Sequence, residues 1–160
     1  MDIFSKLFAS QTSPDSGEDP SYYAPIEAGD YATAFPLLQQ AMRQEDAHAM
    51  GVFAALVAMG RGIDQDPEEA SAWFRQAAVR GDLFSQTAFG VCLATGFGVK
   101  QDISEAAFWL YRAGEAGHRT AILCLGDLAL RDSSIIGKHF SQEQLRALLG
   151  KVSSRPAKLH

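Results

Sequence analysis

GRGIDQDPEEASAWFRQAAVRGD (residues 60–82) decides the reading of this chain once it is set over GFGVKQDISEAAFWLYRAGEAGH (residues 96–118). The offset from Gly60 to Gly96 is 36 residues and no gap is needed. Gly62 pairs with Gly98, Asp66 with Asp102, Ala70 with Ala106, Trp73 with Trp109, and Gly81 with Gly117. Read alone, Gly60-Arg61-Gly62 ahead of a helical stretch resembles the opening of a phosphate-binding loop. A dinucleotide fingerprint needs a third glycine at position 65, where Gln65 stands, and no Gly-Lys-Ser/Thr follows. Self-similarity at a fixed period is instead the mark of stacked repeats, each of which buries its neighbour's apolar face.

Every paired residue has a physical task in such a stack. Asp66 and Asp102 precede apolar-periodic runs and carry Glu69 and Glu105 three residues on, the pattern of a capping box. Pro67 sits at the first helical position, where its missing N–H costs nothing. Ala70, Trp73, Phe74, Ala77, Ala78 and Gly81 then follow one helical stripe, matched by Ala106, Trp109, Leu110, Ala113, Gly114 and Gly117. Gly60 and Gly96 end the preceding apolar helices, because a left-handed closing residue is freely available only to glycine. Ile63 and Val99 tuck back after the turn. Gly60-x-Gly62 is therefore read as a helix–helix turn, and no cofactor is expected.

The same phase extends outward. Asp30, Ala34 and Ala41 stand 36 residues before Asp66, Ala70 and Ala77, giving the second helix of an upstream half-repeat with Leu37 in place of Trp. Pro36 is expected to bend that helix or delay its start. Downstream, Ala121 and Gly126 match Ser85 and Gly90, and the pattern stops at Asp132. Ser141-x-x-Gln144 opens a last helix that caps the stack. The expected organisation is a flexible N-terminal arm (1–25), a helical repeat domain (26–150) and a C-terminal tail (151–160).

These residues resemble the Sel-one-like repeat family of tetratricopeptide-like α/α solenoids. The residues that carry the resemblance are Ser85, Phe89, Gly90, Leu93, Gly96, Gly98, Val99, Asp102, Ala106, Trp109, Ala113, Gly114 and Gly117, and equivalently Ala49 to Gly81. Ala54 replaces the family's first-helix glycine, and Val57 and Leu93 its tyrosine. The resemblance covers about residues 28–132 and implies a protein-binding adaptor without catalysis of its own. The expected fold is all-α, a short right-handed solenoid of about two full helix-turn-helix repeats with flanking half-repeats and a C-terminal capping helix.

Composition narrows the function. The chain has 160 residues, 47% hydrophobic and 21% charged, enough for one domain with a core. A formal charge of −5 argues against nucleic acid, whose phosphates need a basic face. No stretch reaches the ~20 apolar residues of a membrane span, and the N-terminus lacks a basic leader, so a cytoplasmic location is expected. Cys92 and Cys124 lie in apolar stretches without metal-ligand spacing and are read as core thiols. His48, His118, His139 and His160 are scattered, so no metal site is expected. Ser133-Ser134 and Ser153-Ser154 lack a His/Asp constellation. Glu45-Asp46 and Glu68-Glu69 sit at helix ends as capping or solvated residues. No catalytic residue is assigned.

One pattern departs from a water-facing surface. On the first helices, Ala49, Phe53, Leu56, Val57 and Gly60 form an inward stripe. The opposite face carries His48, Gly51, Ala55 and Ala58, then Phe84, Thr87, Val91 and Ala94, then Thr120, Leu123, Asp127 and Leu130. An apolar ridge there calls for a cover. His48, Phe84, Thr87, Val91, Thr120, Leu123, Asp127 and Leu130 are the candidate partner-binding residues. The cover is a partner protein or peptide helix lying in a concave groove, the second copy of a homodimer, the chain's own DIFSKLF segment folded back, or ordinary packing in a short array. Ile3, Phe4, Leu7 and Phe8 share one face of that segment, suited to a partner, a membrane surface or the protein itself. The expected function is a small bacterial adaptor or regulator. The alternatives are a dedicated chaperone or immunity partner of a secreted or toxic protein, and a self-assembling homodimeric module.

Overall fold

Five of the helices begin at an aspartate, and the spacing of those aspartates sets the architecture. A computed structural model describes residues 3–9, 20–131, 134, 137–138 and 140–153. Among the described residues the helices are α1 (Ile3–Ala9), α2 (Tyr23–Glu27), α3 (Tyr31–Arg43), α4 (Ala47–Met59), α5 (Pro67–Val79), α6 (Leu83–Thr95), α7 (Ile103–Glu115), α8 (Arg119–Arg131) and α9 (Gln142–Ser153). Asp30, Asp46, Asp66, Asp82 and Asp102 precede α3 to α7, and each carboxylate accepts a first-turn backbone N–H, a contribution of about 1 kcal/mol per cap. Sequence-adjacent helices pair as antiparallel hairpins, α4 with α5 and α6 with α7, and the hairpins stack through α5 against α6 and α7 against α8. The result is a short α/α solenoid with α4, α6 and α8 side by side along one face.

The turn between the helices of each repeat is made by glycine. Gly60 and Gly96 close α4 and α6 in the left-handed region, at φ 64° and 75°. Gly98, at φ 67°, lies against the Pro67 carbonyl at the start of α5, where a Cβ would come within 1.9 Å of the oxygen. Gly62 lies against the Tyr31 side chain at the start of α3. Tyr31 stands 36 residues before Pro67, so the two glycines face the same register position, one against a side chain and the other against main chain. The repeat shows again in Gln65 and Gln101, whose Nε2 groups donate to the last-turn carbonyls of Ala58 (2.7 Å) and Ala94 (2.8 Å). These bonds supply partners that a helix C-terminus lacks.

Aromatic packing repeats too. Phe53 meets Trp73 edge-on with centroids 5.8 Å apart, and Phe89 meets Trp109 at 5.8 Å. Both indole N–H groups donate to the glutamate one turn back, Trp73 to Glu69 (3.4 Å) and Trp109 to Glu105 (3.3 Å). That contact corrects the expected capping boxes. The aspartate half forms, but the glutamates accept from the tryptophans instead of from the cap N–H groups. Ser141 and Gln144 do make the reciprocal box, Gln144 N–H to Ser141 Oγ at 3.1 Å and Ser141 N–H to Gln144 Oε1 at 2.8 Å. α9 then lays Leu148 on Gly114 and closes the end of the stack.

Three further expectations change. Pro36 does not delay α3, which starts at Tyr31 behind its Asp30 cap. Both Pro36 and Ala32, whose carbonyl loses its helical partner, are exposed, so that carbonyl is open to solvent. Trp73 is half-buried, not core, whereas Trp109 is 7% exposed under Phe108 and the Arg112 guanidinium. The arm expected over residues 1–25 contains α1 and the start of α2, and its Phe4, Leu7, Phe8, Tyr22 and Tyr23 bury in the main core, as does Ile26 just beyond it. Residues 10–19 and 154–160 lie outside the described residues, as do His139, His160 and Ser133.

Candidate functional site

The face formed by α4, α6 and α8 decides what the chain offers a partner, and it divides into a covered part and an open part. α4 and α6 are buried on nearly every side, Ala55 and Ala58 as fully as Leu56 and Val57. α1 lies across them. Phe4 stacks on Phe74 (5.7 Å) and tilts onto Phe97 (4.7 Å). Ser5 Oγ donates to Met59 Sδ at 3.3 Å and accepts from Arg61 Nη2 at 3.5 Å. Arg61 and Phe97 are the middle residues of the two Gly-x-Gly turns, so these turns hold α1. Three buried apolar side chains contribute about 1.5–3 kcal/mol each, and ordering each of the helix's seven residues costs about 1–2 kcal/mol.

At the other end of these helices a polar cluster fixes the N-terminal segment. Tyr23 Oη and His48 Nε2 are 2.6 Å apart, and His48 Nδ1 and Asp82 Oδ1 are 3.0 Å apart. Burial works against a charged His48, but the hydrogen bond and charge of Asp82, with Asp46 behind it, hold its pKa above the ordinary value. His118 is the opposite case, held low by burial, with Nδ1 2.8 Å from Thr87 Oγ1. Tyr22 is buried beside Asp46 and Asp82, and burial with their charge raises its pKa. Its hydroxyl has no hydrogen-bond partner among the described residues. This cluster was not legible in the sequence, since Tyr22 and Tyr23 stand at the end of a Pro/Ser-rich stretch. The one signal was Asp82, which repeats Asp46.

Between α6, α7 and α8 the face stays open. A cleft of about 540 Å³ is lined by Ile3, Val91, Leu110, Leu123, Cys124 and Leu128 among others, with Asp127 and Arg131 paired at 3.0 Å beside it. Leu123 is 59% exposed and Ile3, at the start of α1, 43%. Burial raises the Cys124 thiol, which therefore lines the cleft as an apolar surface. Cys92 is core, its thiol pushed up to about 12 by burial.

Of the eight candidate residues, the cleft brings together Val91, Leu123 and Asp127. Phe84 and Thr87 are core, and Val91 is itself mostly buried. This corrects their reading as free groove surface, since α1 and the neighbouring helices cover them. His48 is tied to Tyr23 and Asp82, and Thr120 is half-buried. Leu130 is 89% exposed and lies outside the cleft. Among the described residues there is no group of three or more His, Cys, Asp or Glu side chains arranged for a metal, and no helix is long and apolar enough to cross a membrane.

Comparison with known proteins agrees with this architecture. Residues 47–82 and 84–118 each match the family model described as Sel1 repeat. Among solved structures, a Sel1 repeat protein from Oxalobacter formigenes is similar, with a TM-score of 0.68 at 22% identity over 83% of this chain. So is c5321, a protective antigen present in uropathogenic Escherichia coli strains displaying an SLR fold, with a TM-score of 0.67 at 24% identity over 96% of this chain. The chain spans 52% and 33% of those two chains. No curated protein matches it in sequence.

Proposed function

Residues 47–118 hold two Sel1 repeats, which are generally protein-interaction modules, and from that premise we propose that this chain is a non-catalytic module that binds a partner protein or peptide at the cleft between α6 and α8. The observation that carries the reading is the open cleft itself, where Leu123 and Ile3 stay exposed on a face that is otherwise closed. Contiguous exposed apolar surface marks interaction sites more often than it marks idle surface. Dedicated adaptor service in the bacterial cytoplasm fits the two free cysteines and the acidic charge.

The test is affinity capture with wild type, Leu123→Glu and Val79→Glu, the last carrying the same change at an exposed residue of α5 remote from the cleft. One stoichiometric protein retained by Val79→Glu and lost by Leu123→Glu is the expected result. Equal capture by all three sinks the cleft as the binding site. A second reading, homodimerisation, is favoured by Leu130, a large apolar side chain that is 89% exposed. Mass in solution that rises with concentration and is abolished by Leu130→Glu separates it from the first.

A further inference from the structure

The occupied and open parts of the α4–α6–α8 face are one track, and the occupied part shows what the track accepts. α1 presents Phe4, Leu7 and Phe8, an i, i+3, i+4 triplet, and its first residue, Ile3, forms a wall of the open cleft. The seat is specific: an aromatic slot for Phe4 between Phe74 and Phe97, and Arg61 with Met59 at Ser5. A partner that enters at Leu123 and advances along the track meets α1 end-on at Ile3. We propose that the partner is an amphipathic helix with apolar residues at i, i+3 and i+4, and that it takes the track by displacing α1, which is the chain's own stand-in for it. The proposal rests on the cleft reading above and names the partner class for it.

Two facts support displacement over permanent docking. α1 is a single short helix that joins the core through Phe4, Leu7 and Phe8, and it packs mainly across α4 and α6 as an added layer, outside the helix pairing of the repeats. Elements of that kind open locally, well before the whole fold does. An intramolecular occupant competes at an effective concentration on the order of millimolar through a short connection. The shielded track thus binds only helices that match α1 or better it, which gives selectivity without a change in the repeats.

The probe is a fluorescein-labelled peptide of residues 1–10, titrated by anisotropy into the full chain as wild type and as Phe4→Glu/Leu7→Glu, in which α1 leaves its seat. Saturable binding to the double variant, at least about tenfold weaker to wild type, is expected. Equal binding to both, or no binding to a double variant that keeps its helical circular dichroism, overturns the proposal. If the double variant does not fold, amide hydrogen exchange on the wild type decides. α1 amides exchanging faster than those of α4 and α6 support displacement, and α1 exchanging only with the global core overturns it. Leu123→Glu separates the two claims. Partner loss there with a permanently docked α1 sinks this proposal alone, whereas a peptide-binding track with Leu123→Glu silent sinks the cleft reading alone.

Discussion

Thr87 in α6 and Leu123 in α8 occupy the same position, 36 residues apart, in two equivalent helices. The polar residue is fully buried and the apolar one is 59% exposed. Thr87 is tolerated inside because its Oγ1 donates to the Leu83 carbonyl at 3.0 Å and lies 2.8 Å from His118 Nδ1. Leu123 is left outside because α6 has α8 beside it and α1 above it, while among the described residues no further repeat packs beyond α8. Burial in a stacked array is thus set by which neighbours a position has, more than by its side chain. The same lesson runs the other way in the second helices, where Trp109 is covered and its counterpart Trp73 is half open.

The largest expected effect sets the covered half against the open half with one substitution. Phe84→Glu places a charge in the core and should abolish the cooperative melt followed by circular dichroism. Survival of the fold would mean that α6 is not enclosed as described. Next, Trp109→Ala should cost about 3–5 kcal/mol in urea unfolding, and Trp73→Ala about half of that or less because part of its ring already meets water. Equal costs would erase the contrast between the second helices. Gly98→Ala should then cost clearly more than Gly117→Ala. Both have positive φ, but only Gly98 meets a backbone carbonyl, and left-handed strain alone is worth roughly 1–2 kcal/mol.

Smaller effects come from the two histidines, which should respond to pH with opposite sign. The raised pKa of His48 adds stability that is present below 6.5 and lost as pH rises through its folded value. The lowered pKa of His118 adds stability that is present above 6.5 and lost as pH falls through its folded value. The destabilisation by His48→Gln should therefore be greater at about pH 5.5 than at about pH 8, and that by His118→Gln smaller, as read from urea midpoints. Parallel changes would show that the two sites are not distinct. Smallest of all, Leu123→Glu should move stability by no more than about 0.5 kcal/mol, and a larger loss would place it in the core with Thr87.

The repeat was legible because its matches are backbone and cap residues whose roles hold in any neighbour's presence: Gly60 and Gly96, Asp66 and Asp102, Ala70 and Ala106. The apolar face of α1 was legible for the same reason, since Phe4, Leu7 and Phe8 fall at helical spacing. Where α1 docks was not, because Arg61 and Phe97 share a repeat position without sharing chemistry. Glu69 and Glu105 misled in a different way. Their spacing from the caps fits a capping box, but an equally near indole N–H competes, and only geometry decides between two donors. Of the candidate site, the ridge on the first helices could be seen. Its division into a covered and an open half required knowing the neighbours.

The close approach of Gly98 to the Pro67 carbonyl has a consequence for how such a chain can change in length. The joint between successive hairpins sets the Gly98 main chain against that of Pro67 there, with Ser71 Oγ donating to the Gly98 carbonyl at 3.0 Å. A block of 36 residues copied in register would bring its own glycine to the second-helix start of the unit before it. Array length is then a quantity the chain can alter by whole units, while the track on its first helices grows by one helix with each.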